Sequence, residues 1–576
     1  GHCLRGLALL GRGREAESAF ARVAIMPLVR SKVSLGRLDE GGSRGECRGL
    51  KSLLDDVAAS VSGAFGDVLR LAECTFDNAD ADDGESKSEG GVAAAPAAEV
   101  DLVTAGVWVP IATALMADPA VKMAIFSPGI ASILQANYTT LDAFVSELAA
   151  GLLRPSDAGA AAAGPGASSA PGPGAGADAD DEYAPLYYRP ALSARSVRSA
   201  QARIHRHPMT ADFNKRWNLP IYYQLRFGDC TARLNSAMAR TRSEGWEADV
   251  FSGGGHGAAA ALRERTGMEL PLFLELYDAM LWLWRPDVAV RPLTHRFLRG
   301  AVQLVGRTLA FVKDGLEGKV MFGGADEAMS NGPSSASASA DVNGDAGAKI
   351  TSALDTTYCW GDRIEDVAAV AWDLTVLETC ITHEYSDVVA CAASPPDALT
   401  RPDVHNTDSE LDELRSLARD ALLEASGDIP PLVDRFWNDV IVGILTARCS
   451  APLSAVRGVA ATYRMTNRPP PSQPSPFVST ILRPLTEFDE AFSSRTPPRV
   501  SGTGWKVAVI SAVSDAYATS VEELIATVER TEIALKSRKT RRAVTGGMSD
   551  GEKVKLQLYL DNLEFARRAE GTGIDA

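Results

Sequence analysis

Apolar residues recur along most of this chain at intervals of three and four, the repeat of an amphipathic helix. Val521, Leu524, Ile525 and Val528 fall at i, i+3, i+4 and i+7. Leu411, Leu414, Ala418, Ala421 and Leu422 make a second such face, and Leu556, Tyr559, Leu560 and Leu563 a third. The pattern predicts helices over 15–34, 48–73, 101–117, 139–153, 191–206, 220–240, 269–284, 290–315, 352–388, 408–426, 430–459, 476–492, 504–538 and 550–569. No alternating pattern marks a hairpin or a βαβ unit, so the expected class is all-α. Start signals agree with this. Ser549 with Glu552, and Thr407 with Glu410, have the spacing of a capping box; Ser520 with Glu523 repeats it inside a longer periodic run. Pro220 suits a first helical position, with Ile221, Tyr222, Leu225 and Ala232 following near helical spacing.

Composition interrupts the pattern in four places. Residues 77–99 are acidic and then Ala-rich, 155–183 and 323–349 are almost wholly small and polar, and 465–476 are Pro-rich. Such segments bury too little apolar surface to offset chain entropy and are expected to be disordered. The expected organisation is an N-terminal bundle over 1–154, a linker over 155–185, a middle bundle over 186–322, a linker over 323–350 and a C-terminal bundle over 351–576. The longest strongly apolar, charge-free run, 102–117, is shorter than the ~20 residues that span a bilayer and reads as a buried helix. Any membrane association is expected to be peripheral. The chain of 576 residues starts without Met and reads as a fragment.

A net charge of −16 argues against a nucleic-acid partner, which needs a basic footprint. The eight cysteines form no C-x-x-C pair and read as reduced, buried thiols of a cytosolic protein, which leaves the sequon at Asn137 unglycosylated. Candidate chemistry is sparse. Gly41-Gly42-Ser43-Arg44-Gly45 has the letters of a nucleophile elbow without the strand that must precede it. Gly253-Gly254-Gly255-His256-Gly257 lacks the lysine of a phosphate loop. His205 with His207, and Cys380 with His383, lack further ligands at metal spacing. Glu378 and Glu384 build no acid–base pair. Pro471-Ser472-Gln473-Pro474 is read as a spacer between helices rather than an SH3 ligand. The basic cluster from Lys536 to Arg542 is read as a solvated helix end, with acidic lipid as the alternative. No catalytic, cofactor-binding or metal site is expected.

The stretch from His207 to Phe227 carries a resemblance instead. It resembles the segment "HP…F…KWNLPVYFQIRF" of the subunit 2 family of the conserved oligomeric Golgi complex, a vesicle tether. Four further stretches resemble the family in the same order. They are Phe126-Ser127-Pro128-Gly129 with Asn137-Tyr138 and Phe144, then Leu281-Trp282-Leu283-Trp284, then Leu293 to Leu298, and finally Gly546 to Leu558. The family-motif positions are Trp217, Asn218, Leu219, Pro220, Tyr223, Phe227, His295, Arg296, Phe297, Met548, Ser549 and Asp550. They are expected to serve packing and capping, with a subunit contact as the alternative.

The resemblance implies an elongated stack of helical bundles and a non-enzymatic role in intra-Golgi, chiefly retrograde, tethering. It implies partners among sister subunits, with membrane fusion proteins and small GTPases reached through the complex. It places the protein peripherally on the cytosolic face of Golgi membranes and partly in the cytosol. It also implies that the family's N-terminal part is missing here. The alternatives are a helical scaffold of another cytosolic or nuclear assembly, and an enzyme whose site is assembled from distant residues.

Overall fold

The computed structural model describes residues 6–7, 10–81, 100–154, 192–253, 256–316, 363–394, 404–464, 468–500, 502–538 and 548–572. Among these residues every regular element is helical and there is no strand. The expected linkers at 155–185 and 323–350 lie outside the described residues. The chain groups into two units: 1–226 with 285–293, and 227–284 with 294–576. Helices that composition assigns to one middle bundle fall in both.

The first unit is built on two long helices, Leu50–Ala81 and Ala131–Leu153, which pack along each other. Leu53, Leu54, Val57 and Val61 face inward from one, and Leu141, Leu148 and Leu152 from the other. The apolar run 102–117 is buried as expected, with Val103, Val107, Trp108 and Leu115 fully enclosed. Helix starts here carry their own donors' partners. Asp118 accepts from the N–H of Ala120 at 2.8 Å, ahead of Pro119 in the first turn. That short helix, Pro119–Phe126, has no periodic pattern long enough to predict it, and neither has Pro208–Asn214. Gly129 sits at φ +79°, the left-handed conformation that lets the chain reverse after Phe126. The Ala131–Leu153 helix starts eight residues ahead of the predicted start at 139. Asn137, two residues ahead of that predicted start, therefore lies within the helix.

The second unit centres on residues 364–393 and 429–463, together with Gly504–Arg538 and Asp550–Glu570. One described stretch, 411–463, is long and apolar enough to cross a bilayer by length and composition alone. Part of it is used inside the unit: Phe436, Trp437, Val440 and Ile441 are buried, and Trp437 meets Trp505 edge-on at 5.4 Å, while Leu417 and Leu423 are exposed. A widened π segment at Phe436–Ile441 carries the two consecutive aromatics into this core.

Ser549 forms the expected capping box with Glu552 at the start of Asp550–Glu570. The box at Thr407 is overturned, and that at Ser520 is a coincidence of spacing inside a longer helix. The Val404–Ser426 helix begins before Thr407, and Ser520 lies inside Gly504–Arg538, where its hydroxyl donates to the carbonyl of Ala516. The helix His256–Thr266 was not legible in the Gly- and Ala-rich pattern.

Disorder over 465–476 is also overturned for residues 468–476. Buried Asp561 accepts from the N–H of Ser475 at 2.6 Å and from its hydroxyl at 2.7 Å. Gln557 donates to the carbonyl of Gln473 at 2.9 Å. Side chains some eighty residues away hold this segment, so its own composition could not reveal its order.

Candidate interaction surface

The candidate chemical groups are each tied into local surroundings, with Cys380 and Glu384 near enough on one helical stretch to interact. Gly41 and Gly45 both take positive φ in a loop between helices, the loop expected for that glycine-rich stretch. His207 is the N-cap of Pro208–Asn214, its Nδ1 accepting from the N–H of Met209 at 3.1 Å, while His205 contacts Gln201. His383 contacts the carbonyl of Thr379, on its own helix, at 3.1 Å. Burial pushes the thiols of Cys380 and Cys449 up to about 11 and that of Cys230 up to about 12. Such thiols carry almost no thiolate at neutral pH. Among the described residues no three His, Cys, Asp or Glu side chains gather as a metal cluster.

The buried acids are committed to the scaffold. Glu275 accepts from Arg233 Nε at 2.8 Å and from the N–H of Ser252 at 2.7 Å. Glu73 takes Arg203 Nη2 on both oxygens at 2.7 Å. Asp373 accepts from the N–H groups of Glu269 and Leu270, and burial raises its carboxyl to about 7 in spite of those donors.

The family-like stretch forms an aromatic hub in the first unit. Phe213 lies edge-on to Trp108 at 5.4 Å and to Phe126 at 5.0 Å. Trp217, buried, adds Phe126 at 4.7 Å and Tyr138 at 5.2 Å. Trp108 Nε1 donates to the hydroxyl of Thr210 at 2.7 Å, and that hydroxyl donates to the carbonyl of Ile204. The second family-like stretch meets the first at this hub: Asn137 Nδ2 donates to the carbonyls of Ala124 and Ile125, closing the end of the helix that carries Phe126.

Asn218 accepts from the N–H of Tyr222 at 3.1 Å at the start of Leu219–Glu244, and Pro220 occupies the first turn. Tyr222, rather than Tyr223, is the buried ring of the pair; its hydroxyl donates to the carbonyl of Val288 at 2.6 Å. Leu219, Tyr223 and Phe227 are half-buried and Pro220 is exposed.

Of the four apolar residues noted near helical spacing, Tyr222 is buried, whereas Ile221 is 51% and Leu225 48% exposed and Ala232 is exposed; Cys230, Leu234 and Ala237 complete the inward face with Tyr222. In the second unit Phe297 is buried against Trp284 at 6.3 Å, while His295 and Arg296 are exposed. Met548, Ser549 and Asp550 are all exposed, with Ser549 acting as the cap.

Comparison with known proteins bears on this architecture. The family model described as "COG complex component, COG2, C-terminal" matches residues 215–562. The conserved oligomeric Golgi complex subunit 2 of Homo sapiens is 22% identical over 392 residues, covering 65% of this chain and 47% of the relative. That of Arabidopsis thaliana is 22% identical over 391 residues, covering 66% and 44%. That of Dictyostelium discoideum is 30% identical over 170 residues, covering 28% and 19%. The chain thus spans less than half the length of the curated relatives it matches. No solved structure matches it.

Proposed function

Because this chain belongs to the COG2 C-terminal family of COG complex components, we propose that it works as a non-enzymatic subunit of the Golgi tethering complex, in intra-Golgi retrograde transport and Golgi organisation. The observation that carries this reading is the family match itself, which runs from the aromatic motif at Lys215 to Asn562 in the C-terminal helix. One feature of the structure agrees with it: the buried acids Glu73, Glu275 and Asp373 hold neighbouring side chains and backbone N–H groups in place. The proposed partners are sister subunits, with membrane fusion proteins and small GTPases reached through the complex. The proposed location is the cytosolic face of Golgi membranes, held peripherally, with a pool in the cytosol. Within the motif, Trp217, Asn218 and Phe297 serve packing and capping. The exposed Ile221 and Leu225 offer a subunit contact.

The test is to tag the complete gene product in its own cells and identify what co-purifies by mass spectrometry. Recovery of the other tether subunits in near-equal amounts is the expected result. Their absence, with the tagged protein soluble and abundant, would overturn it in favour of a scaffold in another assembly.

A further inference from the structure

We infer that the groove between Gly504–Arg538 and Asp550–Glu570 receives a basic, amphipathic helix of a partner protein. The two helices are neighbours in the second unit and leave between them a trough of about 670 Å³. Ile510, Val521 and Ile525 line one wall, and Leu558, Tyr559 and Phe565 the other. The wall residues of the first helix repeat at helical spacing, the pattern that receives the apolar face of a docked helix. Between 510 and 525 the trough runs ~22 Å at 1.5 Å per residue, enough for about four turns of an occupant. Leu558 and Phe565 also reach the core, whereas Tyr559, 61% exposed, and the adjacent Leu563, 50% exposed, form an exposed apolar lip among the described residues.

Charge selects the occupant. Glu522 and Glu570 both line the trough, and neither forms an ion pair among the described residues. The one lysine in the lining, Lys555, is spent on Glu529 at 2.7 Å. An acidic bilayer surface would meet these carboxylates with like charge, and so would the same trough on a second copy in a two-fold contact. A helix with Lys or Arg flanking its apolar face complements them. The inference rests on the groove alone and does not depend on the Golgi assignment.

The probe is a fluorescent synthetic peptide of about 18 residues, with Leu at i, i+3, i+4 and i+7 repeats and Lys on the flanks. Its control carries Glu in place of Lys. Binding to the full chain is followed by fluorescence anisotropy, with hydrogen exchange to locate the footprint. The expected result is saturable binding of the Lys peptide, protection confined to the two helices, and affinity at least about tenfold weaker for the Glu peptide. Glu522→Lys with Glu570→Lys should reverse the preference, and Tyr559→Asp should abolish binding. These side chains are exposed, so the variants should keep the parent's circular dichroism and melting temperature. Equal affinity for both peptides, protection elsewhere, or no binding would overturn the inference. So would dimerisation that protects the trough walls at 510–525 and 555–570, or binding of phosphatidylserine vesicles to those walls rather than to the basic cluster beyond them.

Discussion

Trp217 shows how much one side chain in the motif holds. It is 5% exposed and touches rings from two other helices, so truncation leaves a cavity among Phe126, Tyr138 and Phe213. Trp217→Ala should cost about 3–5 kcal/mol and lower the thermal midpoint. Ile221→Ala and Leu225→Ala should each change stability by less than about 0.5 kcal/mol. If either exposed change abolishes recovery of sister subunits at unchanged melting temperature, the contact surface is located. Unchanged stability in Trp217→Ala would remove the packing role.

Asp373 gives a second prediction at this scale. Burial raises its carboxyl to about 7 when folded, against an ordinary carboxylate value when unfolded. Between about 4 and about 7 the folded state keeps a proton that the unfolded state has released, so this group's contribution to stability falls as pH rises through that window. Asp373→Asn cannot titrate. The advantage of the parent over the variant in urea unfolding should therefore shrink from pH 5 toward pH 7. A constant difference would show that the two backbone N–H donors keep the carboxylate ionised.

At the scale of elements, most helices were legible because their apolar residues keep one period over several turns. Leu219–Glu244 and Gly504–Arg538 appear where the pattern puts them, while Leu50–Ala81 runs eight residues past the predicted end at 73, into the acidic stretch from 77 that was expected to be disordered. Pro119–Phe126 and Pro208–Asn214 were missed because eight and seven residues hold barely two turns. Which face of a helix turns inward was read less well. In Leu219–Glu244 the periodic set is split, Tyr222 inside and Ile221 and Leu225 outside, and Tyr559 with Leu563 lies outside the core that Val554, Leu558 and Phe565 join. A helix with apolar residues on more than one side carries no local signal to choose between them.

The 468–476 segment likewise depends on Asp561 and Gln557. Asp561→Ala should leave the N–H of Ser475 without its acceptor at a cost of about 1–3 kcal/mol. It should also expose this segment to limited proteolysis. Resistance equal to the parent's would mean that the extended, Pro-rich backbone holds itself.

For the whole molecule, charge is the property that reaches furthest. A net −16 opposes approach to anionic surfaces, and the basic cluster 536–542 is the local exception. Its side chains lie outside those the structure describes. Vesicles rich in phosphatidylserine should retain the chain weakly at low ionic strength and release it by about 0.5 M salt, where screening acts within a few ångströms. Charge reversal at Lys539, Arg541 and Arg542 should remove the retention. Retention that survives salt would point to apolar insertion instead.

The sequence by itself determined the helical class, most helix positions, the cap at Ser549 and, through ordered family-like stretches, the family. Each of these is written in local spacing or in residue identity. Only the tertiary structure decided which aromatic of the Tyr222–Tyr223 pair is buried, that Asn137 closes the helix carrying Phe126, that Asp561 orders a Pro-rich segment, and that an apolar trough stays open between the last two helices. Those outcomes depend on contacts between residues far apart in the chain, and periodicity along one helix does not encode what lies opposite it.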